Sequence, residues 1–257
     1  LEAFPPRKEG PGPADPGRWR GLRQRCIEAR ATGRAVTAFS VIGCGIFEQA
    51  SRIMPMEEFF VGIATDPKFA DAVLGKLYEL YCIATEIMLD RVGDIIDVWV
   101  YWDDLGAQTG LLVSPQWYKK HLMPLHSKLF DVVRAKTCAK IFFHSCGAVR
   151  ALIPYLIDVG VDVLNPIQVS ARGMEDTAAL KKDFGSDIVF WGGAVDPQST
   201  LVFGTPQQVA DEVRRHIDDL APGGGYVFAN VHNIQYGVPP ANIVAMFDTC
   251  REYGAYS

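Results

Sequence analysis

The sequence lacks several features that would place the protein in a specialised class. It contains no apolar run long enough to cross a bilayer, and no signal-peptide pattern opens the chain, which begins with Leu1. Its six cysteines are scattered without the regular spacing of a disulfide framework, so we expect free thiols and a cytoplasmic location. The net charge of −5 argues against a dedicated nucleic-acid surface. No Gly-x-Gly-x-x-Gly motif follows a predicted strand, which weakens a dinucleotide-binding interpretation.

What the chain does contain is typical of a globular α/β enzyme. Of its 257 residues, 49% are hydrophobic and 21% are charged, and a single α/β barrel domain of this length is common. Residues 1–16 are rich in proline, glycine and charge, and we interpret them as an extended arm or linker. Residues 17–257 are then predicted to form the folded domain.

Short apolar runs alternate with helical patterns along the chain. The predicted strands cover residues 36–39, 98–102, 141–143, 161–164, 188–191 and 226–228. The predicted helices cover residues 18–31, 66–91, 114–135, 149–159, 174–184, 205–220 and 240–253. Strict alternation indicates a parallel sheet with right-handed crossovers, and a closed barrel of that type needs eight strand–helix units. The sequence shows six, so either two units are missing from this chain or the sheet is open and doubly wound.

A His-x-Cys pair stands at the carboxyl end of one predicted strand, where α/β folds place their chemistry. His144 and Cys146 follow the strand at 141–143, and an imidazole nitrogen with a thiolate suits Zn²⁺. His232, after the last strand, is the best-placed third ligand, and Cys44 is a weaker candidate. The alternative is a hydrogen-bonded histidine beside a small buried cysteine. The other histidines and cysteines fall in helical patterns or before a strand: His121, His126, His216, Cys26, Cys82, Cys250 and Cys138.

Other polar residues also cluster at strand ends, which would converge on one mouth of a barrel. Asp103 and Asp104 follow the second strand, and adjacent carboxylates on an extended backbone point in different directions. We therefore expect one of them to face the pocket, where it would orient a histidine, exchange a proton or bind the metal. Asn165, Gln168 and Asn233 follow later strands and would orient a substrate.

Taken together, these strand-end segments resemble the uroporphyrinogen decarboxylase superfamily over residues 15–253, nearly the whole chain. The segments that carry the resemblance are Val98-Trp99-Val100-Tyr101-Trp102-Asp103-Asp104-Leu105-Gly106, Phe143-His144-Ser145-Cys146-Gly147, Val163-Leu164-Asn165-Pro166, Trp191-Gly192-Gly193-Ala194-Val195-Asp196-Pro197 and Val238-Pro239-Pro240-Ala241-Asn242. The resemblance implies an α/β fold of the (β/α)8 TIM-barrel type. It also implies that the first two strand units lie upstream of this chain's start, which would explain why six units are visible.

Within the superfamily, the zinc- and corrinoid-dependent methyltransferase branch looks closer than the true decarboxylases. The resemblance implies that this branch binds zinc through His-x-Cys plus a cysteine near the last strand; His144 and Cys146 match, whereas His232 stands in the region of that cysteine. The tyrosine of the decarboxylases aligns near Gln49 and their serine near Asp104, and both departures count against porphyrinogen decarboxylation. Gln49 is therefore a candidate substrate-binding residue.

The resemblance implies a zinc-dependent methyltransferase that moves a methyl group between a corrinoid, carried by a separate protein, and a thiol or similar small-molecule acceptor. One alternative is a metal-independent decarboxylase, for which the nearest basic residues are Arg52, Arg150 and Arg172. A second alternative is a truncated or non-catalytic binding member. If the chain is the whole protein, two unpaired sheet edges would invite pairing with another chain, which leaves a homodimer open.

Overall fold

The computed structural model of the protein describes residues 15–255. Most of the arm predicted over residues 1–16 therefore lies outside the described residues. Its last two residues begin a short 3-10 helix, Pro16–Trp19, and the side chain of Asp15 caps that helix by accepting a hydrogen bond from the Gly17 amide. The boundary of the folded domain at residue 17 stays a prediction.

Six parallel strands form one sheet in the order in which they occur along the chain. The strands are β1 (Thr37–Phe39), β2 (Val98–Trp102), β3 (Lys140–His144), β4 (Val163–Asn165), β5 (Val189–Trp191) and β6 (Tyr226–Val227). Within the described residues β1 and β6 each pair with one neighbour, so the sheet is not closed. Sequential parallel order with alternating helices is the architecture of the TIM-barrel type, as the sequence predicted.

Helices follow the strands as the alternation predicted, with three differences. The helices are α1 (Leu22–Ala31), α2 (Ile46–Arg52), α3 (Met56–Thr65), α4 (Pro67–Val92), α5 (Pro115–Trp117), α6 (Met123–Lys136), α7 (Ile153–Asp158), α8 (Thr177–Phe184), α9 (Thr200–Phe203), α10 (Pro206–Leu220) and α11 (Pro240–Tyr253). The sequence pattern did not predict α2, α3 or the four-residue α9. A π-helical turn, Tyr118–Leu122, separates α5 from α6 in the segment predicted as one helix. No helix within residues 15–255 is both long enough and apolar enough to span a bilayer.

The sheet is apolar on both faces, which explains why its strands read as continuous hydrophobic runs. On β2, Trp99 and Tyr101 are fully buried in the large core between the sheet and the helices. Val100 faces the other way and packs with Phe142 and Val163 in a small cluster on the concave face. That concave face, at the carboxyl ends of the strands, is where the polar strand-end residues gather.

Close backbone packing sets the shape of this end of the sheet. Gly192 follows β5 at a φ of +122°, and a Cβ atom there would lie 1.9 Å from the carbonyl oxygen of Pro166. A side chain at this position is therefore excluded on two grounds, backbone conformation and space. The glycine lets the loop after β5 lie directly against the loop that follows Asn165.

Candidate metal centre

His144 ends β3 in an orientation fixed by its neighbour on β4. The register pairs His144 with Asn165, and His144 Nδ1 lies 2.5 Å from Asn165 Oδ1. Because the Asn165 amide nitrogen donates to the Trp191 carbonyl oxygen at 2.9 Å, its oxygen is the atom that faces the imidazole. The Nδ1 atom of His144 must then carry the proton, which leaves Nε2 with a free lone pair that can bind a metal.

Cys146 stands two residues further on, in a loop held by side chains from two other loops. Its main-chain N–H donates to Asp104 Oδ1 at 2.8 Å, and the Gly147 N–H donates to Gln168 Oε1 at 2.7 Å. These two bonds curl the chain so that Cys146 Sγ lies 3.3 Å from His144 Nε2. Both donor atoms therefore point to one place, as the metal interpretation required.

His232, from the loop after β6, brings a third donor atom to the same place. Its ring centroid lies 5.5 Å from that of His144, and one ligand atom from each of His144, Cys146 and His232 lies within 4.8 Å of the other two. Tetrahedral zinc with ordinary bond lengths separates a nitrogen from a sulfur ligand by about 3.5 Å. The donor set and its spacing thus fit Zn²⁺, with His144 oriented through its second nitrogen as metal-bound histidines usually are.

The electrostatics keep two of these donors neutral when no metal is bound. Burial raises the pKa of Cys146 to about 12, and the charges of Asp104 and Glu48 act in the same direction. Burial lowers the pKa of His144, while its hydrogen bond to Asn165 and the charge of Asp104 act against that shift. Metal binding at neutral pH must therefore displace a proton from Cys146 but none from His144.

Cys44, the weaker candidate ligand, lies elsewhere. It is buried, and its Sγ donates to Gln49 Oε1 at 3.2 Å. Burial raises the pKa of this thiol to about 11. Gln49, predicted to bind substrate, is thereby engaged by Cys44, and it is not among the residues that line the cavity described below.

The two adjacent aspartates have different roles. Asp103, one of the two predicted catalytic carboxylates, is fully buried, and its oxygens accept the amides of Phe47 at 3.0 Å and Glu48 at 2.7 Å. It is therefore a cap for the first turn of α2, and it does not reach the cavity. Asp104 lines the cavity, and its Oδ1 lies 3.8 Å from His144 Nε2.

Buried polar groups support Asp103 from below. His126 Nε2 lies 3.1 Å from Asp103 Oδ2, and the Tyr101 hydroxyl oxygen accepts a hydrogen bond from the Ile46 amide at 2.8 Å. Space is equally tight, because a Cβ atom on Gly45 would lie 2.4 Å from the Asp103 side chain. The helical pattern predicted that His126 is a surface or helix-packing residue, and the structure shows it fully buried on α6.

A cavity of about 770 Å³ opens on the concave face, and two of the three donor residues, His144 and His232, line it. Of the predicted substrate-binding residues, Asn165 and Asn233 line it, whereas Gln168 instead holds the Gly147 amide. Sequence reasoning missed Glu48, which lies on α2 and faces the cavity together with Arg52. Their spacing of four residues would have put both on one helix face, but α2 itself was not predicted. The sequence also did not predict as site residues four aromatic side chains that line the cavity: Phe39, Trp102, Phe142 and Trp191.

The fold and the site together define a protein of the parallel β/α barrel class with a histidine–cysteine donor set at the carboxyl ends of its strands. The chain belongs to the uroporphyrinogen decarboxylase family, since the family model "Uroporphyrinogen decarboxylase (URO-D)" matches residues 26–253.

Individual relatives include two kinds of enzyme. The chain is 23% identical over 209 residues to a methylated-thiol--coenzyme M methyltransferase of Methanosarcina mazei, covering 80% of this chain and 51% of that protein. It is 26% identical over 175 residues to a uroporphyrinogen decarboxylase of Streptomyces avermitilis, covering 68% of this chain and 43% of that protein. The chain thus spans about half the length of these curated relatives.

A solved structure shares the fold. A methyltransferase from Methanosarcina mazei superposes with a TM-score of 0.68 at 17% sequence identity, covering 91% of this chain and 64% of that chain. At this identity the likeness establishes the fold alone.

Proposed function

We propose that this chain carries the metal-binding and substrate-binding part of a zinc-dependent methyltransferase, which moves a methyl group between a corrinoid and a thiol or similar acceptor. The observation that carries the proposal is the convergence of His144, Cys146 and His232, whose donor atoms lie within 4.8 Å of one another. A decarboxylation without a metal does not need such a donor set. The similarity to a methylated-thiol--coenzyme M methyltransferase supports the same choice.

The three donors would hold zinc with one coordination position open. When bound, zinc would act as a Lewis acid that lowers the pKa of a thiol in that position and favours its reactive anion. A closed structural site has four protein ligands, whereas three ligands beside a large cavity are typical of a site that admits substrate.

The surrounding residues position these donors and the substrate. Asn165 fixes the tautomer and the ring plane of His144 through Nδ1. Asp104 holds the Cys146 amide with one oxygen and lines the cavity, so it is placed to orient the substrate or to take its proton. Asn233, at the mouth, would contact the substrate from the β6 side.

The methyl partner follows from the resemblance to corrinoid-dependent methyltransferases. We propose that it is a corrinoid on a separate protein that docks at the open mouth of the cavity. A methyl-corrinoid would supply the methyl group to the sulfur of the acceptor, the electron pair of the broken carbon–cobalt bond would stay on cobalt, and the thiol proton would be released.

The proposal is tested by methyl transfer from free methylcobalamin to a simple thiol, using protein loaded with zinc. We expect His144→Ala and Cys146→Ala to lose both the metal and the activity. Cys138→Ser, which alters an exposed cysteine outside the donor set, should keep both. If folded wild-type protein binds no zinc, or if His144→Ala retains full activity, the proposal fails.

Decarboxylation of an acidic small molecule is the second candidate, because uroporphyrinogen decarboxylases are also among the relatives. That chemistry needs cations to hold carboxylates. Among the described residues, Arg52 is the one arginine that lines the cavity, and it is paired with Glu48, whereas Arg150 does not line it and is paired with Asp183. Arg172, the third candidate, does not line the cavity. Turnover of a porphyrinogen by metal-free protein would favour this candidate over the first.

A further inference from the structure

Two carboxylates that the metal does not require face the same cavity. Glu48 lies on α2 and Asp104 follows β2, and both line the space beside the three donor atoms. The charge of Asp104 raises the pKa of Glu48, in addition to the larger effect of burial, while Arg52 and the main-chain N–H of Asp104 act in the opposite direction. Two like charges in a site that is partly shielded from water repel each other, and a cation placed beside them offsets that repulsion.

Glu48 has an unused oxygen atom. The residue is 9% exposed, and its Oε2 atom is buried without a hydrogen-bond partner. A buried carboxylate oxygen without a donor is costly, and in native proteins such an atom usually has a partner that is absent when the site is empty. Glu48 lines the cavity, so a ligand bound there is placed to supply the missing donor, although Oε2 has almost no exposed surface while the cavity is empty.

The nearby cation does not satisfy this oxygen. Arg52 pairs with the other oxygen of Glu48, and the Arg52 side chain is 63% exposed at the edge of the cavity. The three charged side chains Glu48, Asp104 and Arg52 thus carry one excess negative charge. Arg52 holds Glu48 in place and leaves Oε2 free for a ligand.

Aromatic faces complete the surroundings. Phe39 is 59% exposed although it ends a strand, and it meets Trp102 edge to face with ring centroids 5.9 Å apart. Both rings line the cavity that Glu48 and Asp104 face. Aromatic faces next to carboxylates are the usual protein environment for ammonium groups, which gain from the ring quadrupole as well as from the charges.

We propose that Glu48 and Asp104, with Phe39 and Trp102, form a subsite for a positively charged ammonium group, so that the small-molecule substrate is an amine-bearing thiol or a related cation. This inference rests on the proposed function for the position of the reacting sulfur, at the three donors. The ammonium group would donate to Glu48 Oε2, and the sulfur would lie toward Cys146 and the two histidines.

The test uses three short thiols that differ in the charge of the far end: 2-aminoethanethiol, 2-mercaptoethanol and 2-mercaptoethanesulfonate. Protein loaded with cobalt(II) in place of zinc reports sulfur binding through its absorption spectrum. We expect the aminothiol to bind most tightly, and Glu48→Gln to reduce its advantage over 2-mercaptoethanol about tenfold. Because each thiol is compared between two proteins, differences in the acidity of the thiols cancel.

Two further variants separate recognition from general damage. Arg52→Gln removes a positive charge beside the subsite and should increase the preference for the aminothiol. Glu57→Gln removes the same charge as Glu48→Gln from an exposed position on α3 that does not line the cavity, and should leave the preference unchanged. Opposite effects in Glu48→Gln and Arg52→Gln would not arise from misfolding.

A measurement without metal keeps the two proposals distinguishable. Ethylammonium chloride, titrated calorimetrically into metal-free protein against sodium chloride, should give saturable heat that Glu48→Gln abolishes. Failure to load metal would contradict the proposed function alone. Equal binding of the three thiols, preference for the sulfonate, or unchanged preference in Glu48→Gln would overturn the ammonium subsite.

Discussion

At the scale of single residues, the site depends on one amide. Asn165 donates to the Trp191 carbonyl with its nitrogen and therefore presents its oxygen to His144 Nδ1. That contact decides which nitrogen of His144 is free to bind a metal. The sequence placed Asn165 at a strand end and predicted a role in substrate binding, but it could not show a partner 21 residues away.

Replacing Asn165 should therefore weaken zinc binding. Asn165→Leu removes the acceptor at Nδ1 and lets the ring rotate, so we expect an affinity about 10- to 100-fold lower, measured by competition with a chelator. Asn165→Asp, which keeps an acceptor at the same place, should retain most of the affinity. Equal affinity in wild type and Asn165→Leu would show that His144 does not ligate through Nε2.

Zinc affinity should also depend on pH through Cys146. Its thiol, with a pKa of about 12 in the metal-free protein, is protonated throughout the neutral range and must lose its proton when metal binds. The pKa of His144 is lowered, so this residue contributes no further proton above neutral pH. Affinity should rise about tenfold per pH unit between about pH 7 and pH 8.5, and should fall as the pH decreases. An affinity independent of pH in competition titrations would contradict a thiolate ligand.

The adjacent aspartates show how far sequence reasoning reached at this scale. Strand alternation predicted that one of the two would face the pocket. It did not predict that Asp103 would be the buried one, because that depends on α2, whose amides need an acceptor at this place. Asp104 then faces the cavity.

At the scale of secondary-structure elements, α2 is the part that the sequence did not reveal. It has seven residues. Its N-cap is Gly45, which has no side chain to accept a hydrogen bond from the first amides of the helix. Asp103, which follows β2 and lies 55 residues from Glu48, supplies that acceptor. A cap that comes from a distant strand leaves no local signal, whereas α4 and α10 begin with capping residues followed by proline and were predicted to within one residue.

The role of Asp103 as a distant cap makes a stability prediction. Asp103→Ala leaves the amides of Phe47 and Glu48 buried without an acceptor and removes one of the partners of His126. We therefore expect a loss of about 3 kcal/mol in the free energy of unfolding. Asp104→Ala removes one half-exposed acceptor and should cost about 1 kcal/mol. Urea denaturation of both variants measures the difference, and equal losses would refute the distinction between the two aspartates.

At the scale of the whole molecule, the six strands form most of a barrel-type sheet with its two edges unpaired within the described residues. Alternating apolar runs predicted the parallel direction and the end of the sheet that carries the site, whereas the sequential strand order of a barrel was implied by the family resemblance. Strand bounds were predicted less well: the strand predicted at 161–164 is β4, Val163–Asn165, and the one predicted at 226–228 is β6, Tyr226–Val227.

The open edge beside β1 makes a prediction about association of this chain. Phe39, 59% exposed at the edge, gives that side of the sheet an apolar surface. We expect the 257-residue chain to associate at high concentration in sedimentation velocity, and Phe39→Lys to reduce that association. Phe203→Lys, which alters an exposed phenylalanine on α9, is the control and should have little effect. A monomer at every concentration would contradict this expectation.

The most direct test of the central claim is the coordination of the metal itself. X-ray absorption at the zinc edge, on protein purified without chelator and reconstituted with one equivalent of zinc, measures the number and type of ligand atoms. We expect one sulfur at about 2.3 Å and two imidazole nitrogens at about 2.0 Å, together with one lighter ligand from solvent. His232→Ala should lose one of the nitrogens. A spectrum without a sulfur ligand, or one that is the same in His144→Ala, would contradict this coordination.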